Sequence, residues 1–327
     1  MAKGIGRLLS LGIGRETTRG TTVTPAYWIP FLEAGIEEKD EKAIDEATVG
    51  VIEDSVGQTI VKQWAEGSWK ALIGDRHFPL VLYAALGTLA SALKSGESTV
   101  YDHTVSVAQN AQHQSLTVGI DDPLGGQDYQ HPLAVIASLE IAYELGKLLD
   151  YSVTVKAKKG ATATLTPSQV AENRFTHKHF TFKLAAAQSG LDAASAMNIR
   201  SLTLKIEKNV EEDLALGSLA PVDFLNKQLA IEGQLEAIWQ NETDFKQTAL
   251  AGTVKAMRLD LANNDVTIGT SSNPRVKIDL HKVIFKEITR PVSINEVIMQ
   301  TLSFKAHYHT TDAKMVYVLC NNTVSSY

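Results

Sequence analysis

One phrase occurs twice in the chain, and this repeat limits the architecture more than any other feature. KQWAEGSWKA begins at Lys62, and KQLAIEGQLEA begins at Lys227. The same separation joins SLEIAY, from Ser138, to SFKAHY, from Ser303. A constant offset of about 165, close to half the chain, is typical of a tandem duplication. The alternative is that alternating strands share short patterns by chance.

Alternation of apolar and polar residues dominates both halves and predicts strands with one buried face. Ile231 is an extra residue in the second copy of the phrase, so we expect either a bulge there or a change of face for the residues that precede it. The clearest strand segments are YSVTVKAK from Tyr151, LTLKIEK from Leu202, MRLDL from Met257 and VKIDLHKVIF from Val276.

One helix is predicted in each half, over 79–96 and over 243–257; the first opens with a proline and closes near a glycine. Loops are predicted at 36–50 and 119–132, and a domain seam at 157–168. The segment 1–25 resembles an arm that needs a partner to become ordered. The resulting division is an arm over 1–30, a first β domain over 31–160 and a second over 161–327.

Composition excludes several classes of protein. The net charge of −6 and pI near 5.9 argue against a broad basic surface for gripping nucleic acid. A single cysteine, Cys320, excludes an intramolecular disulfide framework and fits a reducing cytoplasm. The longest apolar stretch, 78–93, is too short to cross a bilayer, and the N-terminus lacks a signal-peptide cleavage site.

The sequence carries no strong catalytic or metal-binding motif. Neither GIGR segment continues into a dinucleotide fingerprint, and the usual phosphate, zinc-protease and esterase motifs are missing. On strands, the pairs 177/179 and 307/309 would each offer two histidines to a metal, but no third ligand is evident, so exposed or interface histidines are expected. The acidic segment 121–128 lacks EF-hand spacing and is expected to be a solvated loop. We therefore predict no catalytic residues, cofactor or metal.

Three segments resemble the tail tube proteins of long-tailed bacteriophages. They are RETTRGTTVTPAYWIPFLEAGI from Arg15, GSWKALIGDRHFPLVLYAALGT from Gly67, and the closing LSFKAHYHTTDAKMVYVLCNNTVSSY. The resemblance implies a structural virion protein, assembled in the host cytoplasm. Its fold would be a tandem pair of β-sandwich or barrel domains, each with a flanking helix. In this family the domains join side by side into rings around a lumen, and the rings stack into a tube.

Further expectations follow from the resemblance. Two domains in one chain imply a ring of three chains with roughly 24 lumen strands; six chains are the alternative. Expected partners are a tape-measure protein in the lumen, tail terminator and tip proteins, and genomic DNA that passes without specific binding. No membrane insertion is expected. Candidate lumen-facing residues are Glu66, Ser68, Glu232, Gln234 and Glu236. Candidate inter-ring contacts, within the arm and the loop near 109–131, are Arg15, Arg19, Asp121, Asp122 and Asp128.

Two other classes of protein remain as alternatives. A carbohydrate-binding β-sandwich would need aromatic side chains exposed on one face, and packing explains at least one of Trp64 and Trp69. An unrecognised two-domain hydrolase would need a site that the sequence does not reveal. Neither alternative predicts open-ended polymers, so self-assembly separates both from a tube protein.

Overall fold

The computed structural model describes residues 3–124, 127–240, 242 and 245–327, and most of these residues form antiparallel strands. The strands are β1 Ser10–Arg15, β2 Tyr27–Ile29, β3 Phe31–Asp45, β4 Gly57–Leu72, β5 Gly87–Leu93, β6 Tyr101–Val107, β7 Leu116–Asp121, β8 Tyr129–Glu144, β9 Asp150–Ala157, β10 Ala161–Thr162, β11 Phe180–Ala185, β12 Ala196–Met197, β13 Ser201–Asp213, β14 Asp223–Ile238, β15 Lys255–Ala262, β16 Arg275–Thr289, β17 Met299–Ala306 and β18 Val316–Asn322. The helices are α1 Phe78–Leu86 and α2 Lys246–Leu250, with 3₁₀ turns at Gly6–Leu8, His177–His179 and Gln188–Gly190. The predicted mainly β class is confirmed.

The two halves of the chain pair their strands in the same order. In the first half the order is β2-β1-β7-β8-β9-β4-β3. In the second half it is β12-β11-β15-β16-β17-β14-β13. A helix follows β4 in one half and β14 in the other. Each strand of the first list therefore has a counterpart at the same place in the second.

The offset between counterparts changes along the chain. Gly67 of β4 corresponds to Gly233 of β14, an offset of 166. Their partners across the next pairing are Val155 of β9 and Phe304 of β17, and here the offset is 149. The difference arises because the first half carries the β5–β6 hairpin after its helix, whereas β15 follows α2 directly. The sequence offset of 165 relates Ser138 of β8 to Ser303 of β17, but in the pairing pattern β8 corresponds to β16.

The halves are joined by strand pairing and by a shared core. β13 of the second half pairs with the C-terminal part of β8, from Ser201 opposite Glu144 to Glu207 opposite Ser138. β18 pairs with β6 of the inserted hairpin. One cluster of buried apolar side chains draws on both halves, and α1 packs against β5, β6 and β8 beneath it. Folding of one half therefore supports the other.

Both predicted helices are shorter than expected. Gly87, at a φ of 98°, ends α1, and the chain continues at once as β5, so the second part of the predicted helix over 79–96 is a strand. α2 has five residues, and β15 begins at Lys255, inside the predicted helix over 243–257. Residues 243 and 244 of that prediction lie outside the described residues.

The predicted loop at 36–50 is wrong up to Asp45, because β3 runs to that residue and pairs along its length with β4; residues 46–50 lie in the connection between the two strands. The distal part of this hairpin is a two-stranded ribbon exposed on both sides, so it lacks the apolar period that identifies a strand. The predicted loop at 119–132 is shorter than expected, since β7 ends at Asp121 and β8 begins at Tyr129. Residues 125 and 126 of that prediction lie outside the described residues.

The predicted bulge at Ile231 is also wrong. Ile231 pairs directly with Ile206, and the irregularity lies further along the hairpin, between Lys208 and Val210. β3 and β4 have a matching irregularity between Glu41 and Lys42. The two hairpins therefore carry the same irregularity, and the offset of 166 holds along the whole of β4 and β14, from Gly57 and Asp223 to Gly67 and Gly233.

The N-terminal segment is ordered by its own chain. Leu11 and Ile13 of β1 are fully buried, and β1 pairs with β2 on one side and β7 on the other. This differs from the expectation that the segment 1–25 needs a partner. In the predicted seam, Ala161 and Thr162 form β10, which pairs with β8.

The repeated phrase contains a glycine that each copy needs for the same reason. A Cβ on Gly67 would lie 2.1 Å from the carbonyl oxygen of Gly35 in β3. A Cβ on Gly233 would lie 2.4 Å from the carbonyl oxygen of Thr203, at the corresponding position of β13. The backbones of the paired strands approach too closely here for any side chain.

We expect Gly67→Ala to lower the free energy of unfolding by about 1–3 kcal/mol, because the new methyl group must displace the backbone of β3. Urea unfolding followed by tryptophan fluorescence measures the change. Gly35→Ala, on the paired strand, is the matched control, since its Cβ would have no neighbour within 4 Å. Equal midpoints for the two variants would contradict the steric explanation.

Candidate assembly surface

Eight strands form a continuous antiparallel surface, here named the polar wall, in the order β3-β4-β9-β8-β13-β14-β17-β16. Each half contributes four strands. Only the C-terminal parts of β8 and β16 belong to the wall, because their N-terminal parts pair with β7 and β15. One face of the wall covers the core, through side chains such as Trp69, Tyr151, Leu204 and Leu235. The other face carries polar side chains.

All five predicted lumen-facing residues lie on this polar face. Glu66 and Ser68 alternate with buried residues of β4, and Glu232, Gln234 and Glu236 alternate with buried residues of β14. Ser68 and Gln234, at corresponding positions, are exposed, and the three glutamates are partly buried. The alternation pattern assigned these residues to the polar faces of two strands, and the pairing of β13 with β8 brings both strands into one sheet.

A row of alternating charges crosses four strands of the wall, and the sequence analysis missed most of it. Glu140 of β8 is paired with Lys205 of β13, Lys205 with Glu232 of β14, and Glu232 with Lys305 of β17. These residues are distant in the sequence, so only the register brings them together. The alternation within each strand was the available signal; it marks the polar face but not its neighbours.

Glu232 is the best-connected member of this row. Its Oε1 accepts hydrogen bonds from Lys305 Nζ at 2.8 Å and from Lys286 Nζ at 3.2 Å. The two ammonium groups lower the pKa of the Glu232 carboxyl below its usual value. The carboxylate therefore stays ionised near neutral pH, and the polar face keeps a fixed pattern of charge.

Acidic side chains outnumber basic ones on the polar face. The acidic members are Glu33, Glu37, Glu41, Glu66, Glu140, Glu144, Asp150, Glu207, Glu232, Glu236 and Glu287. The basic members are Lys39, Lys62, Lys70, Lys156, Lys205, Lys286 and Lys305. Such a surface repels a polyanion on average while presenting isolated cations.

The wall ends in two unpaired edges. Among the described residues, β3 pairs only with β4, so the whole outer side of a 15-residue strand is free. At the other end, residues 284–289 of β16 pair with β17, and their second side has no strand partner in the described chain. Long free edges expose unpaired backbone groups and promote pairing with another chain.

The candidate inter-ring residues make contacts within the chain. Arg15 donates a hydrogen bond to the main-chain oxygen of Tyr327. Arg19 Nε lies 2.7 Å from Asp223 Oδ1, and its Nη2 donates to the carbonyl of Phe224 at 2.7 Å. These contacts attach the N-terminal segment to the second half of the chain.

The acidic residues of the loop near 121–128 have different roles. Asp128 is buried, and its carboxylate accepts hydrogen bonds from the backbone N–H groups of Asp122 at 3.1 Å and Leu165 at 2.8 Å. Desolvation raises the pKa of Asp121, and the neighbouring carboxylates add to this rise. Asp128 therefore organises the loop. The solvated cluster expected here is limited to Asp121 and Asp122, which are half-buried.

The two histidine pairs do not converge on a metal site. His177 and His179 lie on a 3₁₀ turn rather than a strand, and His179 is buried against Asp265, with Nε2 3.0 Å from Oδ2. His309 Nδ1 accepts a hydrogen bond from the N–H of Asp312. Within the described residues, no three His, Cys, Asp or Glu side chains are grouped to hold a metal ion. In that same part of the chain, no helix is long and apolar enough to span a membrane.

The tryptophans do not form an exposed aromatic face. Trp28 and Trp69 are buried. Trp64 and Trp239 are partly exposed, and a cation lies over each ring: Lys62 Nζ is 4.1 Å from the Trp64 centroid, and the Arg290 guanidinium is 4.3 Å from that of Trp239. Stacking against a sugar would first require these cations to move.

Lys208 lies at the junction between the halves and is almost fully buried. Its Nζ donates to the carbonyl of Ala84, near the C-terminus of α1, at 3.1 Å. The partial negative charge of a helix C-terminus favours a cation there. Burial nevertheless lowers the pKa of Lys208 to about 7, with a smaller contribution from Arg19.

We expect the stability of the chain to rise with pH between about 7, the pKa of Lys208 in the folded chain, and the ordinary lysine value near 10.4. In this window the unfolded chain binds a proton that the folded chain does not, so the free energy of unfolding gains up to about 1.4 kcal/mol per pH unit. This contribution is lost as the pH falls towards 7. Urea unfolding from pH 7 to 9 should show a smaller slope for Lys208→Met, whereas Lys227→Met, a half-exposed lysine on β14, should retain it. Equal slopes would contradict the assignment.

Comparison with known proteins agrees with this architecture. The sequence profile of the family described as phage tail tube protein matches residues 6–306. No curated protein sequence matches the chain significantly. The profile covers both halves and all eight strands of the polar wall. The chain belongs to the phage tail tube protein family.

Proposed function

We propose that this protein is the building block of the phage tail tube, and that three copies close into a ring whose stacked repeats form a hollow conduit for DNA. The observation that carries the proposal is the polar wall: eight strands, four from each half, with a free edge at both ends. Closing the wall on itself removes those edges, as barrel formation does in general.

The dimensions of such a ring suit its role. Three walls of eight strands give a barrel of about 24 strands. With strands about 4.8 Å apart and tilted by about 40°, the backbone diameter is roughly 48 Å. The side chains that point into the lumen narrow this opening, and the remaining channel is still wider than a DNA duplex.

We place the polar face of the wall on the lumen side. An acidic surface with interspersed lysines gives phosphate groups no continuous basic track, so DNA can slide without being held. Glu66, Ser68, Glu232, Gln234 and Glu236 would line this channel, together with the charged row through Lys205 and Lys305.

We further propose that the two halves are duplicated tube domains. The shared pairing order, the matching irregularities of the two long hairpins and the glycines at Gly67 and Gly233 support this interpretation. Each chain would then supply two of six domains in a pseudo-sixfold ring. A ring of six chains is the alternative.

The remaining parts of the proposal follow from the role of a tube. A tape-measure protein would occupy the lumen before DNA, terminator and tip proteins would close the two ends, and assembly would take place in the host cytoplasm before the tube joins the virion. The protein would act through its surfaces, with no catalytic step.

Negative-stain electron microscopy of the purified chain tests the proposal. We expect rings or hollow tubes. End-on averages should show six similar lobes of two alternating kinds, and therefore threefold symmetry. End-on averages with true sixfold symmetry would favour a ring of six chains over a ring of three. Monodisperse monomers over a wide range of concentration and salt would count against the tube function.

A further inference from the structure

The junction between the two halves pairs two strands whose counterparts form the free edges of the polar wall. Inside the chain, β13 lies against the free side of β8, where β7 stops pairing. β3 is the counterpart of β13, and β16 is the counterpart of β8. The two unpaired edges of the polar wall therefore correspond to the two strand edges that pair with each other at the junction between the halves.

The register of β3 follows from its pairing with β4. Lys39 is opposite Trp64, and Glu207 of β13 is opposite Ala230 of β14. Trp64 and Ala230 are related by the offset of 166 that relates Gly67 to Gly233. Lys39 therefore occupies in β3 the position that Glu207 occupies in β13.

The register of β16 follows from a bulge that it shares with β8. The pairing of β8 with β9 is interrupted between Ile136 and Ser138, and that of β16 with β17 between Phe285 and Glu287. Ile136 is opposite Val155, and Phe285 is opposite Phe304, which is the counterpart of Val155 in β17. Glu287 is therefore the counterpart of Ser138.

We infer that β3 of one copy pairs antiparallel with the C-terminal part of β16 of a second copy, with Lys39 opposite Glu287. This inference rests on the proposed function and specifies its contact between chains. Ser138 is opposite Glu207 within the chain, and replacing both by their counterparts gives the Lys39–Glu287 pair. The same register sets Glu37 opposite Thr289.

Charge complementarity favours this register over its neighbours. A slip of two residues in one direction would put Glu287 opposite Glu37, and a slip in the other would put it opposite Glu41. Like charges directly opposite each other destabilise a sheet, whereas opposite charges stabilise it. A slip of one residue would turn the side chains of β3 to the wrong face.

Apolar side chains on the core face support the same contact. Ile36 and Ile288 pack against the core but are only partly buried at the free edges. In the inferred pairing they are diagonal neighbours across the junction. Their counterparts, Leu204 and Leu139, are fully buried at the junction inside the chain. Pairing would complete the burial of both isoleucines.

Disulfide trapping tests the register directly. Lys39→Cys combined with Glu287→Cys should form covalent dimers and trimers on non-reducing gels of assembled protein, because directly opposite residues have Cβ atoms close enough for a disulfide. The native Cys320 is buried and stays as it is. Each single variant is a control, and so are the slipped pairs made by joining Glu287→Cys to Glu37→Cys or Glu41→Cys.

Charge reversal provides a second measurement that needs no disulfide geometry. Lys39→Glu and Glu287→Lys should each raise the protein concentration needed for ring formation by about five-fold, and the double reversal should restore it. Lys70→Glu, inside the wall on β4, is the matched control and should not be rescued by Glu287→Lys.

The outcomes separate the register from the proposed function. Rings that form with a slipped cross-link, or without rescue by the double reversal, would overturn the register while leaving the tube intact. Wild-type chains that never form rings would overturn the tube function. A 39–287 cross-link together with rescue supports the inferred contact.

Discussion

Replacing Asp279 by alanine is expected to lower the free energy of unfolding by about 3–5 kcal/mol, because it leaves the guanidinium of Arg258 buried without its main partner. Arg258 and Asp279 form a two-point ion pair, with Nε to Oδ1 at 2.6 Å and Nη2 to Oδ2 at 2.8 Å. Both side chains are almost completely buried. In the wild type the Asp279 carboxylate raises the pKa of Arg258. Without it the guanidinium still keeps its charge, because arginine side chains do not lose their proton in proteins. Urea unfolding measures the loss.

Asp192 provides the control for this prediction. It also contacts Arg258, but its side chain is 84% exposed, so Asp192→Ala should cost less than about 1 kcal/mol. The double variant Arg258→Met with Asp279→Leu should recover most of the stability lost in Asp279→Ala, since it removes the charge as well as its partner. If Asp279→Ala and Asp192→Ala cost the same, burial does not govern this pair.

Glu16→Ala is expected to lower the free energy of unfolding by about 2–5 kcal/mol, because alanine would leave two backbone donors unsatisfied, each at a cost of about 1–3 kcal/mol. Glu16 is buried, and its carboxylate accepts hydrogen bonds from the N–H groups of Gly20 and Leu133, both at 2.7 Å, and from the hydroxyls of Ser115 and Thr117. Thermal and urea unfolding both report the change.

Glu16→Gln should fall between alanine and the wild type, because its amide keeps one acceptor oxygen but turns a donor towards other donors. Glu33→Ala, on the exposed edge of β3, should change stability by no more than about 0.5 kcal/mol. A neutral Glu16→Ala would mean that the N-terminal segment is not held by this carboxylate.

The sequence pattern predicted strands well where one face is buried and the other is not. The segments that contain Leu202, Met257 and Val276 are strands with alternating burial, as expected. The pattern failed where this contrast is missing. The distal part of β3 is exposed on both faces, so its charged residues were interpreted as a loop.

The helices were predicted at the right places, but the predicted lengths were too great for a different reason. Residues 78–93 are uncharged and mostly apolar, which fits a buried helix and a strand equally well. The change from α1 to β5 depends on the left-handed conformation of Gly87, around which Ala108 and His113 are closely packed. Such contacts come from residues far along the chain, and a local pattern does not contain them.

The candidate surface was predicted only in part. Alternation around Gly67 and Gly233 was enough to assign Glu66, Ser68, Glu232, Gln234 and Glu236 to polar faces of strands. It could not reveal that both strands belong to one wall, because that depends on the pairing of β13 with β8. The lysines opposite these glutamates lie on other strands and become visible only through the register.

The β5–β6 hairpin gives the proposed ring two kinds of seam. The seam inside each chain is reinforced by β6 pairing with β18, whereas the inserted hairpin has no counterpart among the described strands of the second half. Three of the six domain boundaries would thus be closed before any two molecules meet. Ring formation would then require the association of three molecules rather than six. A ring under mechanical load would open at the three boundaries between chains, because the boundaries within chains are reinforced.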